Sequence, residues 1–126
     1  MCNDITSERM KIMCEEWQKI LRLLDWKVYV EICRARDLPD NVVGHSKIDI
    51  LKKKTVVGLL AEIDRNPEAA WSCDFEKDLV HELLHLHFFA GDELSNAQYV
   101  AMEQGIEILA EALVLLKRGE KANDKI

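Results

Sequence analysis

The sequence lacks the features that mark several large classes of protein. No stretch approaches the roughly 20 consecutive apolar residues that a membrane-spanning helix needs, and residues 1–10 lack the apolar core of a secretion signal. Basic residues are not in excess, since 17 Lys and Arg stand against 23 Asp and Glu for a net charge of −6. Surfaces that bind nucleic acid are normally basic. We therefore expect neither a nucleic-acid partner nor a membrane.

Cysteine pairs, internal repeats, low-complexity stretches and linkers are also missing. The four cysteines, at positions 2, 14, 33 and 73, form no C-x-x-C pair and have no regular spacing. Such a set is typical of reduced thiols in a cytoplasmic protein rather than of a disulfide framework. With 126 residues, we expect one domain spanning the chain. Nothing in the pattern indicates an oligomeric state.

Hydrophobic periodicity predicts three helices and three strands. The predicted helices cover residues 7–24, with Ser7 as N-cap, 74–90, with Gly91 as the stop, and 95–119. The predicted strands cover residues 26–33, 44–50 and 55–63. The third strand is apolar almost throughout, which predicts cover on both faces, and its Gly58 predicts a bulge or a close approach by another backbone.

The order of these elements predicts an α+β fold, a small three-stranded twisted sheet packed against helices. The N-terminal helix would occupy residues 1–25, the sheet 26–65 and two further helices 74–119, with a frayed polar tail over 120–126.

The most informative motif is His81-Glu82-Leu83-Leu84-His85, which reads H-E-x-x-H inside a predicted helix. Histidines at positions i and i+4 share one helix face, so their imidazoles can hold one Zn²⁺ ion. Glu82 is then placed to take a proton from a zinc-activated water. The alternative is that both histidines only form hydrogen bonds to backbone or carboxylate groups.

A catalytic zinc usually takes a third protein ligand, and the last helix offers Glu103, Glu107 and Glu111. A helical hairpin centred on residue 93 places His85 level with residue 101. Measured along the helix axis at about 1.5 Å per residue, Glu103 is then about 3 Å from the level of His85, Glu107 about 9 Å and Glu111 about 15 Å. Glu103 also lies beside a predicted core-facing arc. The arc consists of Tyr99, Met102, Ile106, Leu109 and Leu113. We therefore predict Glu103 as the third ligand and Glu107 as second choice; a solvated acidic face is the alternative.

These helices resemble those of a minimal zincin of the gluzincin kind, and they are most similar to small ImmA/IrrE-like proteins and phage-encoded relatives. In those proteins the first glutamate of an E-x-x-A-N-x-F-A helix supplies the third ligand. Residues 103–110 read E-Q-G-I-E-I-L-A, which puts Glu103 at that place and Glu107 where the family has asparagine. The resemblance covers about residues 26–117. It implies a zincin-like fold, a Zn²⁺ cofactor and a peptide or protein substrate. It also implies a strand beside the active helix that aligns extended substrate, which would be residues 55–63.

No residue clearly matches the tyrosine or histidine that stabilises the oxyanion in larger gluzincins. Tyr99, one turn before Glu103, and His45, near a strand start, are the weak candidates; core packing and a surface position are their alternatives. His87 lies on the opposite helix face from His85, which indicates a structural or surface role. Cys73 would be a buried or capping thiol rather than a metal ligand.

Three functions follow from this pattern. The first is a zinc-dependent metallopeptidase with Glu82 as general base. The second is a catalytically weak or inactive zinc-binding regulatory or interaction module from a phage or mobile element. The third is a structural zinc that joins the two C-terminal helices.

Overall fold

A computed structural model of the chain describes residues 6–67, 73–88 and 94–123, and within them it contains three α-helices and three β-strands. In chain order these are α1 Ser7–Ile20, β1 Lys27–Cys33, β2 Gly44–Asp49, β3 Lys54–Leu60, α2 Phe75–Leu84 and α3 Asn96–Asn123. The α+β class and the predicted order of elements are confirmed. The predicted helix stop at Gly91 lies outside the described residues.

Helix α1 begins at Ser7, as predicted, and ends at Ile20, four residues earlier than predicted. Thr6, not Ser7, is the N-cap, and its side chain accepts a hydrogen bond from the Arg9 backbone N–H. At the other end Arg22 takes a positive φ of 63°, and the Leu23 N–H donates to the Gln18 carbonyl. This is the turn that usually carries glycine after a helix. Because arginine fills that position here, the sequence pattern gave no stop signal.

The strands form one mixed sheet in the order β1-β3-β2. β3 runs parallel to β1 and antiparallel to β2, so both of its edges are hydrogen-bonded. Along β1, Val28, Val30 and Ile32 are half-buried while Lys27, Tyr29 and Glu31 are exposed, so one face of the strand packs against the rest of the protein. The prediction of full cover on β3 is wrong at its start, because Val56 is exposed.

Gly58 produces no bulge, because the β3 register with both neighbours runs through it unbroken. A Cβ atom at this position would lie 3.0 Å from the Cys33 sulfur and 3.1 Å from a Leu38 methyl group. Close approach does occur, but the nearest approaching groups are side chains rather than the predicted backbone.

The helices pack to place α2 at the centre of the molecule. α2 contacts β2, β3, α1 and α3, and its Leu79, Val80 and Leu83 are fully buried. α2 and α3 run antiparallel: Arg118, late in α3, forms an ion pair with Asp74 at the start of α2 at 2.9 Å. The predicted helical hairpin is therefore present. Among the described residues, no helix combines the length and apolarity needed to cross a bilayer.

Two predicted boundaries change near the motif. α2 ends at Leu84 rather than at residue 90, because the Leu86 and His87 N–H groups bond three residues back and tighten the chain into turns. His85 still has helical dihedrals, φ −58° and ψ −25°, so the i, i+4 relation to His81 survives. β3 ends at Leu60 rather than Ile63, and Glu62–Asp64 form a 3₁₀ turn.

Candidate metal centre

The two motif histidines lie one helical turn apart at the end of α2. Their ring centroids are 5.2 Å apart and tilted by 58°. Asp74 is the N-cap of α2, since its side chain accepts a hydrogen bond from the Lys77 N–H, and the buried apolar side of α2 fixes the rotation of the helix. The imidazoles therefore project from the side of α2 that faces α3.

Glu103 of α3 lies between the two imidazoles. Its Oε1 atom is 2.8 Å from His85 Nε2, and its Oε2 atom is 3.3 Å from His81 Nε2. One ligand atom from each of the three side chains falls within 4.8 Å of the others. All three side chains are half-buried, so the cluster lies at the cleft surface and not in the core.

This donor set fits zinc. Two histidine nitrogens and one carboxylate oxygen form a catalytic zinc ligand set, and ligands about 2.0–2.1 Å from a tetrahedral zinc lie about 3.3 Å from one another. The two Nε2–oxygen distances, 2.8 and 3.3 Å, are close to that spacing. Zinc also needs unprotonated imidazole, and burial is the main cause that lowers the pKa of His85.

Glu107, the second choice for third ligand, instead contacts the far side of the His81 ring. Its Oε2 atom lies 2.8 Å from His81 Nδ1, and its Oε1 atom lies 2.8 Å from Lys77 Nζ. A carboxylate only accepts hydrogen bonds, so Nδ1 carries the proton in this contact and Nε2 is left for a metal. Burial opposes ionisation of Glu107, but Lys77 and His81 together lower its pKa.

Glu82 is buried at 8 % exposure, on the side of α2 that packs against strand β2. Burial raises its pKa to about 7, although a hydrogen bond from the Ser46 hydroxyl works in the other direction. Gly44 lies beside it, since a Cβ atom there would be 3.1 Å from Glu82 Oε2. Ser46 thus holds the Glu82 carboxyl group by a hydrogen bond, and Gly44 leaves space for that group.

The cluster opens into a cleft of about 480 Å³. The weak oxyanion candidates both line it: Tyr99 is 54 % exposed rather than packed in the core, and His45 is half-buried rather than on the open surface. The charge of Glu103 raises the pKa of Tyr99, which keeps its phenol protonated. His87 is outside the cleft; its Nε2 atom lies 2.6 Å from the Leu21 carbonyl oxygen, as a structural role predicts.

Comparisons with protein-family models, with curated proteins and with solved structures found no match to this chain.

The strand beside the cleft is β2, not residues 55–63. β3 cannot align an extended peptide because both of its edges are already paired. The Leu60 N–H donates to the Val43 carbonyl, and hydrogen-bonded pairs alternate along an antiparallel ladder. Gly44, Ser46 and Ile48 therefore turn their backbone N–H and C=O groups to the outer edge of β2.

A second cavity of about 700 Å³ adjoins the first and shares Asp78 and Glu107 with it. Cys73 lines this cavity and is half-buried rather than buried. Buried Asp78 pairs with Arg65 at 2.5 Å beneath both cavities. Burial is the main cause that raises the pKa of Asp78.

Sequence reasoning missed two residues of the centre, Gly44 and Ser46. Both share the face of β2 that meets α2, and the alternation of Ser46 and Ile48 against Lys47 was visible in the sequence. What the sequence could not indicate is that this face would meet Glu82.

Proposed function

We propose that this protein is a zinc-dependent metallopeptidase of the gluzincin kind, in which His81, His85 and Glu103 hold Zn²⁺ and Glu82 is the general base. One observation carries the proposal: two imidazoles from α2 and one carboxylate from α3 converge at a cleft wall. Glu82 follows His81 in the chain and projects about 100° away around the helix. Its carboxyl group therefore lies beside the point where the two imidazoles and the Glu103 carboxylate converge.

Each residue then has one task. These side chains would hold Zn²⁺, which would supply a Lewis acid for the scissile carbonyl and for a water molecule. Glu82 would accept a proton from a water molecule in the cleft as the water oxygen attacks the carbonyl carbon, and it would return a proton to the amine nitrogen when the C–N bond breaks. Ser46 and Gly44 keep the Glu82 carboxyl group in one position.

The outer edge of β2 is the place for the substrate backbone. Gly44, Ser46 and Ile48 offer alternating N–H and C=O groups there, and an extended peptide can add to such an edge as a further strand. β2 packs against α2, so a peptide on its edge runs along the cleft that contains Glu82. This supports a peptide or unfolded segment as substrate.

The decisive test compares wild type with Glu82→Gln on a library of short peptides. Glu82→Gln should bind zinc as tightly as wild type and hydrolyse peptides about 100- to 10,000-fold more slowly. Glu111→Gln is the matched control, because this exposed α3 glutamate lies outside the cluster. Equal hydrolysis by wild type and Glu82→Gln would remove the catalytic assignment.

The second candidate is a zinc-binding interaction module without hydrolytic activity. The observation in its favour is the 54 % exposure of Tyr99, whose phenol is not held by packing as an oxyanion donor usually is. A zinc-loaded wild type that cleaves no peptide in the library, and equals Glu82→Gln throughout, would favour this module.

A further inference from the structure

Helix α3 is apolar on two opposite sides. One side packs Ile106, Ala110 and Val114 into the core. The other side carries large apolar side chains that are 44–67 % exposed. These are Ile108, Leu109, Leu115 and Leu116. A helix side that carries large apolar residues normally packs against another element, so this outer side is a candidate for a protein contact.

The exposed area is large enough for a protein interface. These four side chains leave on the order of 400 Å² of apolar surface per copy, within the range of the largest patch on a monomer and about half of what one partner buries in a standard interface. A second copy that covered them would remove a comparable area from each chain. The size therefore fits a reversible dimer.

The outer side has a regular pattern along its centre line. Six positions alternate four and three residues apart: Ala101, Gly105, Ile108, Ala112, Leu115 and Gly119. We call them the outer seam. Such spacing keeps one stripe facing a partner helix over several turns. None of the six is charged, so two copies of a chain with net charge −6 can meet here without like charges along the seam.

The seam is complementary to itself only when two helices run antiparallel. With residue 110 at the centre, Gly105 meets Leu115 of the partner subunit, Ile108 meets Ala112, and Ala101 meets Gly119. Large side chains then face small ones in the Gly105–Leu115 and Ile108–Ala112 layers, and two small residues meet in the Ala101–Gly119 layer. A parallel pair would stack Leu115 on Leu115 and leave a void between two copies of Gly105.

Gly105 gives an independent reason for a partner. Glycine inside a helix makes the helix less stable than alanine does. A Cβ atom at Gly105 would meet nothing within 4 Å. The single chain therefore gains nothing from glycine here. An antiparallel dimer does gain from glycine at position 105, because the partner's Leu115 occupies the space beside it.

We propose that a second copy of this chain covers the outer seam, forming an antiparallel α3–α3 dimer with two-fold symmetry. The seam lies on the side of α3 opposite Glu103, by position on the helical wheel, so the cleft stays open in the dimer.

Sedimentation velocity of the full chain from about 0.5 to 200 µM tests this. The mass should rise from the 14.5 kDa of one chain toward twice that value, with a dissociation constant on the order of 1–10 µM. The Ile108→Lys variant should remain monomeric, since a dimer would bring two ammonium groups close together near its two-fold axis. Leu51→Lys, at a 97 % exposed apolar residue off α3, should dimerise like wild type.

A second variant tests the antiparallel register. Gly105→Leu has room in the single chain, yet it should weaken the dimer at least about tenfold by meeting the partner's Leu115. The swap Gly105→Leu with Leu115→Gly should restore dimerisation, because large again faces small. Far-UV circular dichroism checks that each variant folds. A mass of one chain at every concentration, or tighter association of Gly105→Leu, would overturn the proposal.

Discussion

Both ring nitrogens of His81 contact a carboxylate: Nδ1 lies 2.8 Å from Glu107 Oε2, and Nε2 lies 3.3 Å from Glu103 Oε2. Lys77 holds the other oxygen of Glu107 at 2.8 Å. The chain Lys77–Glu107–His81 thus fixes both the rotation and the protonated nitrogen of the imidazole. Glu107 thus orients His81, a proposed zinc ligand, and Lys77 balances the charge of Glu107.

Glu107→Gln should lower zinc affinity about 10- to 100-fold, because a neutral amide orients His81 less firmly and makes its imidazole less basic. Competition with a chelator measures the affinity. Glu111→Gln, one turn further along α3 and exposed, should bind zinc as wild type does. An unchanged affinity in Glu107→Gln would show that the contact has no part in metal binding.

Gly44→Ala should reduce peptide hydrolysis about 10- to 100-fold without loss of zinc. The new methyl group would lie 3.1 Å from Glu82 Oε2, and a shift of about 1 Å in a catalytic group can cost about 100-fold. Gly58→Ala is the matched control, because its methyl group meets Cys33 and Leu38 rather than Glu82. If both variants lost activity equally, the effect would belong to the sheet and not to Glu82.

The ion cluster between α1, α2 and α3 should make stability fall in acid. Glu76 accepts hydrogen bonds from Trp17 Nε1 at 2.8 Å and Lys117 Nζ at 3.0 Å. Burial opposes its ionisation, but the bonds from Trp17 and Lys117 outweigh it and lower the pKa of Glu76 below 4.5. A carboxyl group with a lower pKa in the folded state stabilises the fold above its unfolded pKa. That stabilisation is lost as pH falls through the folded pKa.

The measurement is urea unfolding of wild type and Glu76→Gln between pH 7 and pH 3. The stability difference between them should be on the order of 1–2 kcal/mol at pH 7 and should shrink once the pH drops below about 4.5. Glu15→Gln, exposed on the outer side of α1, is the control and should follow wild type. A difference that stays constant with pH would contradict the role given to Glu76.

The position of Glu103 could be predicted because it depends on local geometry. Helical rise is fixed and the two helices run antiparallel, so counting residues from His85 about the predicted centre at residue 93 selects one level of α3, even though α2 ends at Leu84. The contact between His85 and Glu103 at 2.8 Å agrees with that count. The same count ranked Glu107 second, and its contact with His81 Nδ1 shows it was within reach of the cluster.

The strand order could not be predicted, because it depends on pairings distant in sequence. β1 and β2 follow one another in the chain but do not pair; β3 inserts between them. Residues 55–63 are the most apolar strand, which indicated burial but not that both edges would be used. The same long-range choice brings Gly44 and Ser46 of β2 to Glu82. Of the residues predicted to face the core, Tyr99 instead lines the open cleft and is 54 % exposed, and Leu109 is 44 % exposed.

Zinc content tests the central claim most directly. Wild-type protein, purified without chelator, dialysed against buffered zinc and analysed for metal, should hold about one zinc per chain. Glu103→Ala should lose most of that zinc, while Glu111→Ala, one of the exposed glutamates of the same helix, should keep it. A wild type that holds no zinc, or a Glu103→Ala variant that holds as much as wild type, would contradict a metal centre at His81, His85 and Glu103.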